Sequence, residues 1–151
     1  IGRSWRVSVD RGGWVEGIAR SRAFVWEDGR MRALRMPGCD PISPNVINAR
    51  GDIVGMCGGH VVLWESDGVI HRVWGPVAVT AINDRGQIIG AVDTKATDAW
   101  GDPLSHAVLW ENGKMRDLGT LGGPTSTASA INERGQIVGT AATKTRGHAF
   151  L

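Results

Sequence analysis

Apolar positions along this chain come in short runs, and the polar positions that separate them are mostly Asn, Asp, Gly and Ser. From 77 to 121 the runs are VAVTAIN (77–83), QIIGAVD (87–93), HAVLWE (106–111) and KMRDLGTL (114–121). They are rich in β-branched residues and cut by turn-forming clusters, and none has the length or the i, i+3, i+4 spacing of an amphipathic helix. Each therefore reads as a strand, A to D in chain order. The composition points the same way: 22 Gly, 7 Trp and no Tyr suit short strands and tight turns better than a helical globule.

The pattern repeats. INERGQIVG (131–139) is preceded by INDRGQIIG (82–90) and INARGDIVG (47–55), and each follows or precedes a strand C and D pair: RAFVWEDGRMRAL (22–34), HVVLWESDGVIHRV (60–73) and HAVLWENGKMRDL (106–118). The turn between A and B is N-x-R-G. Asn at its first position accepts a bond from the backbone two residues on, and Gly at its fourth tolerates positive φ, which is the chemistry of a type I turn followed by a bulge. Between C and D, Asp28-Gly29 and Asn112-Gly113 fit two-residue primed turns, and Ser66-Asp67-Gly68 is slightly longer.

A four-stranded sheet of about 40 residues cannot bury both of its faces alone, so copies must stack, and radial stacking of such sheets is the β-propeller. The expected fold is thus all-β, a propeller of four-stranded antiparallel blades in one repeat domain over 1–151. The blades fall at about 1–35, 36–75, 76–121 and 122–151. The first is degenerate, with A and B drawn from RSWRVSVD and GGWVEGIA and with Arg11 in their turn. The last is incomplete, ending inside strand C at HAFL (148–151). Trp26, Trp64 and Trp110 all close strand C and are placed to fill the gap between blades. A chain that opens on Ile1 and stops inside a strand reads as an excerpt of a larger propeller or an assembling fragment, so self-association or a larger parent propeller is expected.

Charge narrows the partners. The 17 basic and 15 acidic residues are well mixed, for a net charge of +2, and leave no basic run to act as a nucleic-acid footprint. No apolar stretch approaches the roughly 18–20 residues that span a bilayer, and no signal peptide is visible. G-x-S-x-G, H-E-x-x-H, C-x-x-C and a phosphate-cradling glycine loop are all missing, so no catalytic residue is nominated.

The segments HAVLWENGKMRDLGTLGG (106–123), AINERGQIVG (130–139) and HAF (148–150) resemble the bacterial HAF repeat, a family of probable extracellular proteins named for that tripeptide. The likeness covers nearly the whole chain and is weakest before residue 22; Arg22-Ala23-Phe24 and His60-Val61-Val62 depart from the tripeptide. It implies secretion and repetition and no particular reaction. The layout is also similar to other short-motif propellers, which serve as binders and as hydrolases.

Site candidates are few. An insertion in the B to C connection of the third blade, KATDAWGDPLS (95–105), is the irregular feature on a regular scaffold and carries Asp98, Trp100 and Asp102, with Asp93 just before it. Trp100 could stack on a sugar ring with hydrogen bonds from Asp98 and Asp102, making a module for a carbohydrate or protein ligand. Asp93, Asp98 and Asp102 are the carboxylates that would hold calcium, the cofactor of the alternative reading, a metal-assisted lactone or ester hydrolase. His60, His106 and His148 recur at the start of strand C, as repeat-locked structural residues do. Arg50, Arg85 and Arg134 mark a turn rim diluted by acidic neighbours. Finally, Cys39 enters the second blade and Cys57 ends its strand B, so antiparallel pairing of A with B brings both to one edge. A disulfide is expected, with an extracellular or periplasmic location.

Overall fold

The computed structural model describes residues 6–15, 18–34, 39, 42–73, 78–143 and 147–151. Every regular element among them is a β-strand, and the strands form four small antiparallel sheets. The chain divides into two compact units, Ile1–Arg72 and Val73–Leu151, each holding two of the sheets.

In the first unit, β1 (Arg6–Val15), β2 (Ile18–Glu27) and β3 (Arg30–Ala33) make a three-stranded sheet, and β4 (Ile42–Ile47), β5 (Ile53–Cys57), β6 (His60–Trp64) and β7 (Ile70–Arg72) make a four-stranded meander. In the second unit, β8 (Ala78–Ile82), β9 (Ile88–Thr97), β10 (Pro103–Glu111) and β11 (Lys114–Asp117) form the other four-stranded sheet. It is followed by the three strands β12 (Ser126–Ile131), β13 (Ile137–Ala142) and β14 (Gly147–Phe150). The second and third sheets are thus the expected A-B-C-D repeats, and the fourth contains A, B and C.

The first sheet departs from expectation. β1 runs through Arg11, which pairs with Ser21 in mid-ladder, so no A to B turn forms there. The reason is local. With Arg11 aligned on the turn arginine, the residue at the turn's first position is Val9, which has no side-chain acceptor to hold the backbone N–H groups that Asn holds elsewhere.

The three N-x-R-G turns are built alike. In the first, Gly51 N–H donates to the Asn48 carbonyl and Asn48 N–H to the Asp52 carbonyl, while Asn48 Oδ1 accepts from the N–H groups of Arg50 at 3.1 Å and Asp52 at 2.9 Å. Asn83 and Asn132 repeat all four bonds. The glycine takes a φ of 87° at Gly51, 74° at Gly86 and 80° at Gly135, the left-handed region that closes a type I turn with a bulge. Asp28-Gly29 and Asn112-Gly113 both have positive φ, as primed turns require.

Two further features recur in register. Strand A slips by one residue between Pro44 and Val46, between Val79 and Ala81, and between Ala128 and Ala130. Opposite that bulge, strand B carries a glycine. A methyl group on Gly55 would strike the Ser43 carbonyl and lie 2.7 Å from Pro44 Cα, and one on Gly139 would strike the Thr127 carbonyl. The glycine that ends I-V-G is needed because the neighbouring backbone passes too close for a side chain.

Within each unit a hydrophobic cluster joins its two sheets. In the first, Val25, Ile53, Val62 and Trp64 pack with Cys39, against Leu34, Ile47 and Cys57. Cys39 and Cys57 form a disulfide with a Cα separation of 5.4 Å, and Cys57 pairs with Ile42 at the edge of β4. In the second, Ile89, Ala107 and Ala128 are joined by Leu109, Leu118, Ile131, Ile137 and Phe150. The disulfide is consistent with an oxidising compartment outside the cytoplasm. Among the described residues no helix is long and apolar enough to cross a membrane.

Candidate functional site

The segment 95–105 extends the β9–β10 hairpin as paired strand with one irregularity in its ladder. β9 continues to Thr97 and β10 begins at Pro103, with Thr97 paired to Pro103 and Asp93 to Ser105. Between those pairs the ladder shifts register, and Thr94 Oγ1 accepts the N–H of Ala96 at 3.2 Å.

The tip of this hairpin is a fourth copy of the five-residue turn. Asp98 N–H donates to the Asp102 carbonyl and Gly101 N–H to the Asp98 carbonyl, and Gly101 has a φ of 90°. Asp98 Oδ1 accepts from the N–H groups of Trp100 at 2.8 Å and Asp102 at 3.0 Å, as Asn Oδ1 does in the other copies. D-A-W-G-D therefore stands in the frame of N-A-R-G-D (48–52). Trp occupies the place that Arg50, Arg85 and Arg134 hold elsewhere. The signal was present in the sequence, but Asp in place of Asn and Trp in place of Arg concealed it.

This geometry settles the position of each candidate. Trp100 is 87% exposed, the most exposed large apolar side chain of the described residues. Its backbone is fixed by Asp98, so an indole that would otherwise be a mobile surface group is presented on a defined turn. Asp102 lies beside it and is exposed. Asp98, which the sequence offers to a ligand, builds the turn through its Oδ1. Asp93 sits down the ladder on the far side of the register shift, separate from the tip. Among the described residues no group of three or more His, Cys, Asp or Glu side chains is placed to hold a metal ion, and Asp93, Asp98 and Asp102 are not brought together as calcium ligands.

Of the repeat-locked histidines, His106 has a side-chain partner. His106 Nδ1 lies 2.8 Å from Asp117 Oδ2, tying the middle of β10 to the end of β11. Partial burial works against the Asp117 charge, but hydrogen bonds from His106 and from Gly119 N–H, with the His106 charge, hold its carboxyl below the usual value. His60 and His148 open their strands exposed to solvent.

Around the Asn turns, polar contacts join neighbouring copies. Asn83 Nδ2 donates to Gln87 Oε1 at 2.6 Å and to the Asn132 carbonyl at 3.0 Å, and Asp84 N–H donates to the Glu133 carboxylate. Gln87 Nε2 donates to Glu111 Oε1 at 2.7 Å. Where the second sheet has Asp52 in place of that Gln, the buried carboxylate accepts from Asn48 Nδ2, the Arg50 guanidinium and Ser66 N–H. Sequence reading placed Asn83 and Asp84 in a turn but missed that they join one sheet to the next.

No protein-family model matches the chain, and neither a curated protein nor a solved structure matches it.

Proposed function

We propose that this chain is a secreted binding module of propeller type, with blades of the HAF-repeat kind, that presents Trp100 to a carbohydrate or protein ligand. One observation carries the reading: the extended β9–β10 hairpin ends in the repeat's own turn, and at that turn an exposed indole replaces the arginine of the other copies. A flat aromatic face held on an ordered backbone gives stacking area at small entropic cost, and the adjacent Asp102 carboxylate can accept hydrogen bonds from ligand hydroxyls. The disulfide supports an extracellular or periplasmic setting. The metal-assisted hydrolase is not favoured, because the three carboxylates it relies on do not converge.

A printed oligosaccharide array, probed with the wild-type chain and with Trp100→Ala, tests this. The wild type is expected to be retained on at least one glycan, and the variant to lose that retention, equivalent to about 2 kcal/mol or more of binding energy. Equal retention of both proteins, or of neither, contradicts a carbohydrate ligand at this tip.

A further inference from the structure

The turns at 48–52 and 98–102 share their backbone bonds and differ in what their last carboxylate meets. At 48–52, Asp52 Oδ2 holds the guanidinium of Arg50, with Nε at 2.9 Å and Nη2 at 2.6 Å. Asp52 also accepts from Asn48 Nδ2 and Ser66 N–H. In the same frame Asp102 stands at the place of Asp52, Trp100 at that of Arg50 and Asp98 at that of Asn48. The exchange removes both the cation and the amide donor. In the two remaining Asn turns the place of Asp52 is taken by Gln87 and Gln136, so those turns offer no carboxylate there.

Among the described residues no donor reaches the Asp102 side chain, and Lys95, the one Lys or Arg between 88 and 105, makes no ion pair with it. The tip therefore combines an exposed indole with an exposed carboxylate, in a frame that elsewhere in the chain holds a cation on that carboxylate. A cation carried by a ligand gains twice in such a place, from the face of the indole and from a charge-assisted hydrogen bond to the carboxylate.

We propose that the ligand of this tip is a glycan with a free amino group, whose sugar ring stacks on Trp100 and whose ammonium takes on Asp102 the role that the Arg50 guanidinium takes on Asp52. The inference rests on the reading of Trp100 as the binding residue and supplies the chemistry of what it binds. An amino sugar is favoured over a basic protein side chain by the openness of the site. At 87% exposure the indole has no second wall beside it to hold a flexible side chain. A sugar fixes its ammonium to the ring that stacks, so it loses less conformational freedom on binding than a Lys or Arg side chain does.

Isothermal titration of the whole chain, in low-salt buffer that keeps the sugar amine protonated, compares an oligomer of glucosamine with its fully N-acetylated counterpart and with an oligomer of arginine. The glucosamine oligomer is expected to bind, and the other two to bind about tenfold or more weakly. Asp102→Asn should weaken the glucosamine oligomer about tenfold, and added salt should weaken it further. Trp100→Arg rebuilds the internal pair of the 48–52 turn and should abolish binding. Circular dichroism checks that each variant is folded, and Asp102→Ser serves if Asp102→Asn is not. An affinity unchanged in Asp102→Asn, equal or tighter binding of the N-acetylated oligomer, or preference for the arginine oligomer overturns the proposal. So does a glucosamine oligomer that fails to bind. Where Trp100→Ala still loses a neutral glycan or the arginine oligomer, the amino-sugar inference alone has failed; where binding survives Trp100→Ala, the reading beneath it has failed as well.

Discussion

Asp52 shows how one substitution within a repeat is absorbed. Gln87 and Gln136 each use a side-chain oxygen to accept the Asn Nδ2 of their turn, and Asp52 does the same with Oδ2. The carboxylate then recruits Arg50, 2.6 Å away, and the N–H of Ser66. Burial opposes its charge, but the bonds from Asn48, Ser66 and Arg50 outweigh that and leave its pKa below the ordinary aspartate value. A depressed folded pKa adds stability that is fully present above the unfolded pKa and is lost as pH falls through the folded value. Asp52→Asn is therefore expected to cost about 1–2 kcal/mol at neutral pH, a modest figure because Arg50 is half exposed and solvent screens the pair. Urea unfolding at neutral pH and below about pH 4 checks this: the gap between the two proteins should narrow in acid, around the ordinary aspartate pKa. A gap that is constant with pH would mean that the charge contributes nothing.

At the scale of the element, most of the strands and turns were legible in the sequence because their chemistry is local. Asn or Asp followed by Gly fixes a turn type within four residues, and alternation between turns fixes the strands, so the Asn48, Asn83 and Asn132 hairpins and both primed turns follow from the residues alone. What was not legible depended on a neighbour. The glycine of I-V-G is explained only by the bulged strand beside it, and the first sheet lost its expected Arg11 turn because Val9 cannot cap it. The hairpin at 88–111 looked irregular because its length differs from that of the other copies, although its tip obeys the same turn rule. The Cys39–Cys57 bridge belongs to this scale too, joining the approach to β4 with the end of β5 and packing in the core against Val25 and Trp64. It closes a loop with a separation of 18 residues. Replacing both cysteines with serine is expected to lower stability by about 3 kcal/mol, measured by urea unfolding without reductant. A loss below about 0.5 kcal/mol would mean that core packing alone fixes this edge.

For the whole molecule, the repeat separates two tasks. Stacking uses Ile, Val, Leu and Trp at fixed positions, and the Asn turns add side-chain bonds from one sheet to the next, such as Asn83 to the Asn132 carbonyl. The proposed recognition uses the one turn that carries Trp in place of Arg, and there the exposed Trp100 can change without disturbing the packing, whereas the buried Trp64 and Trp110 cannot. On the proposed function, the indole at the hairpin tip meets the ligand while the buried Trp64 and Trp110 do not. The direct measurement is a nitrogen–proton correlation spectrum of the labelled chain, which gives a separate indole signal for each of the 7 tryptophans, recorded as the glycan identified on the array is titrated in. The Trp100 indole signal, assigned by its loss in Trp100→Ala, should move with saturation while those of Trp64 and Trp110 stay fixed. A stationary Trp100 signal, with changes at other tryptophans, would contradict the account.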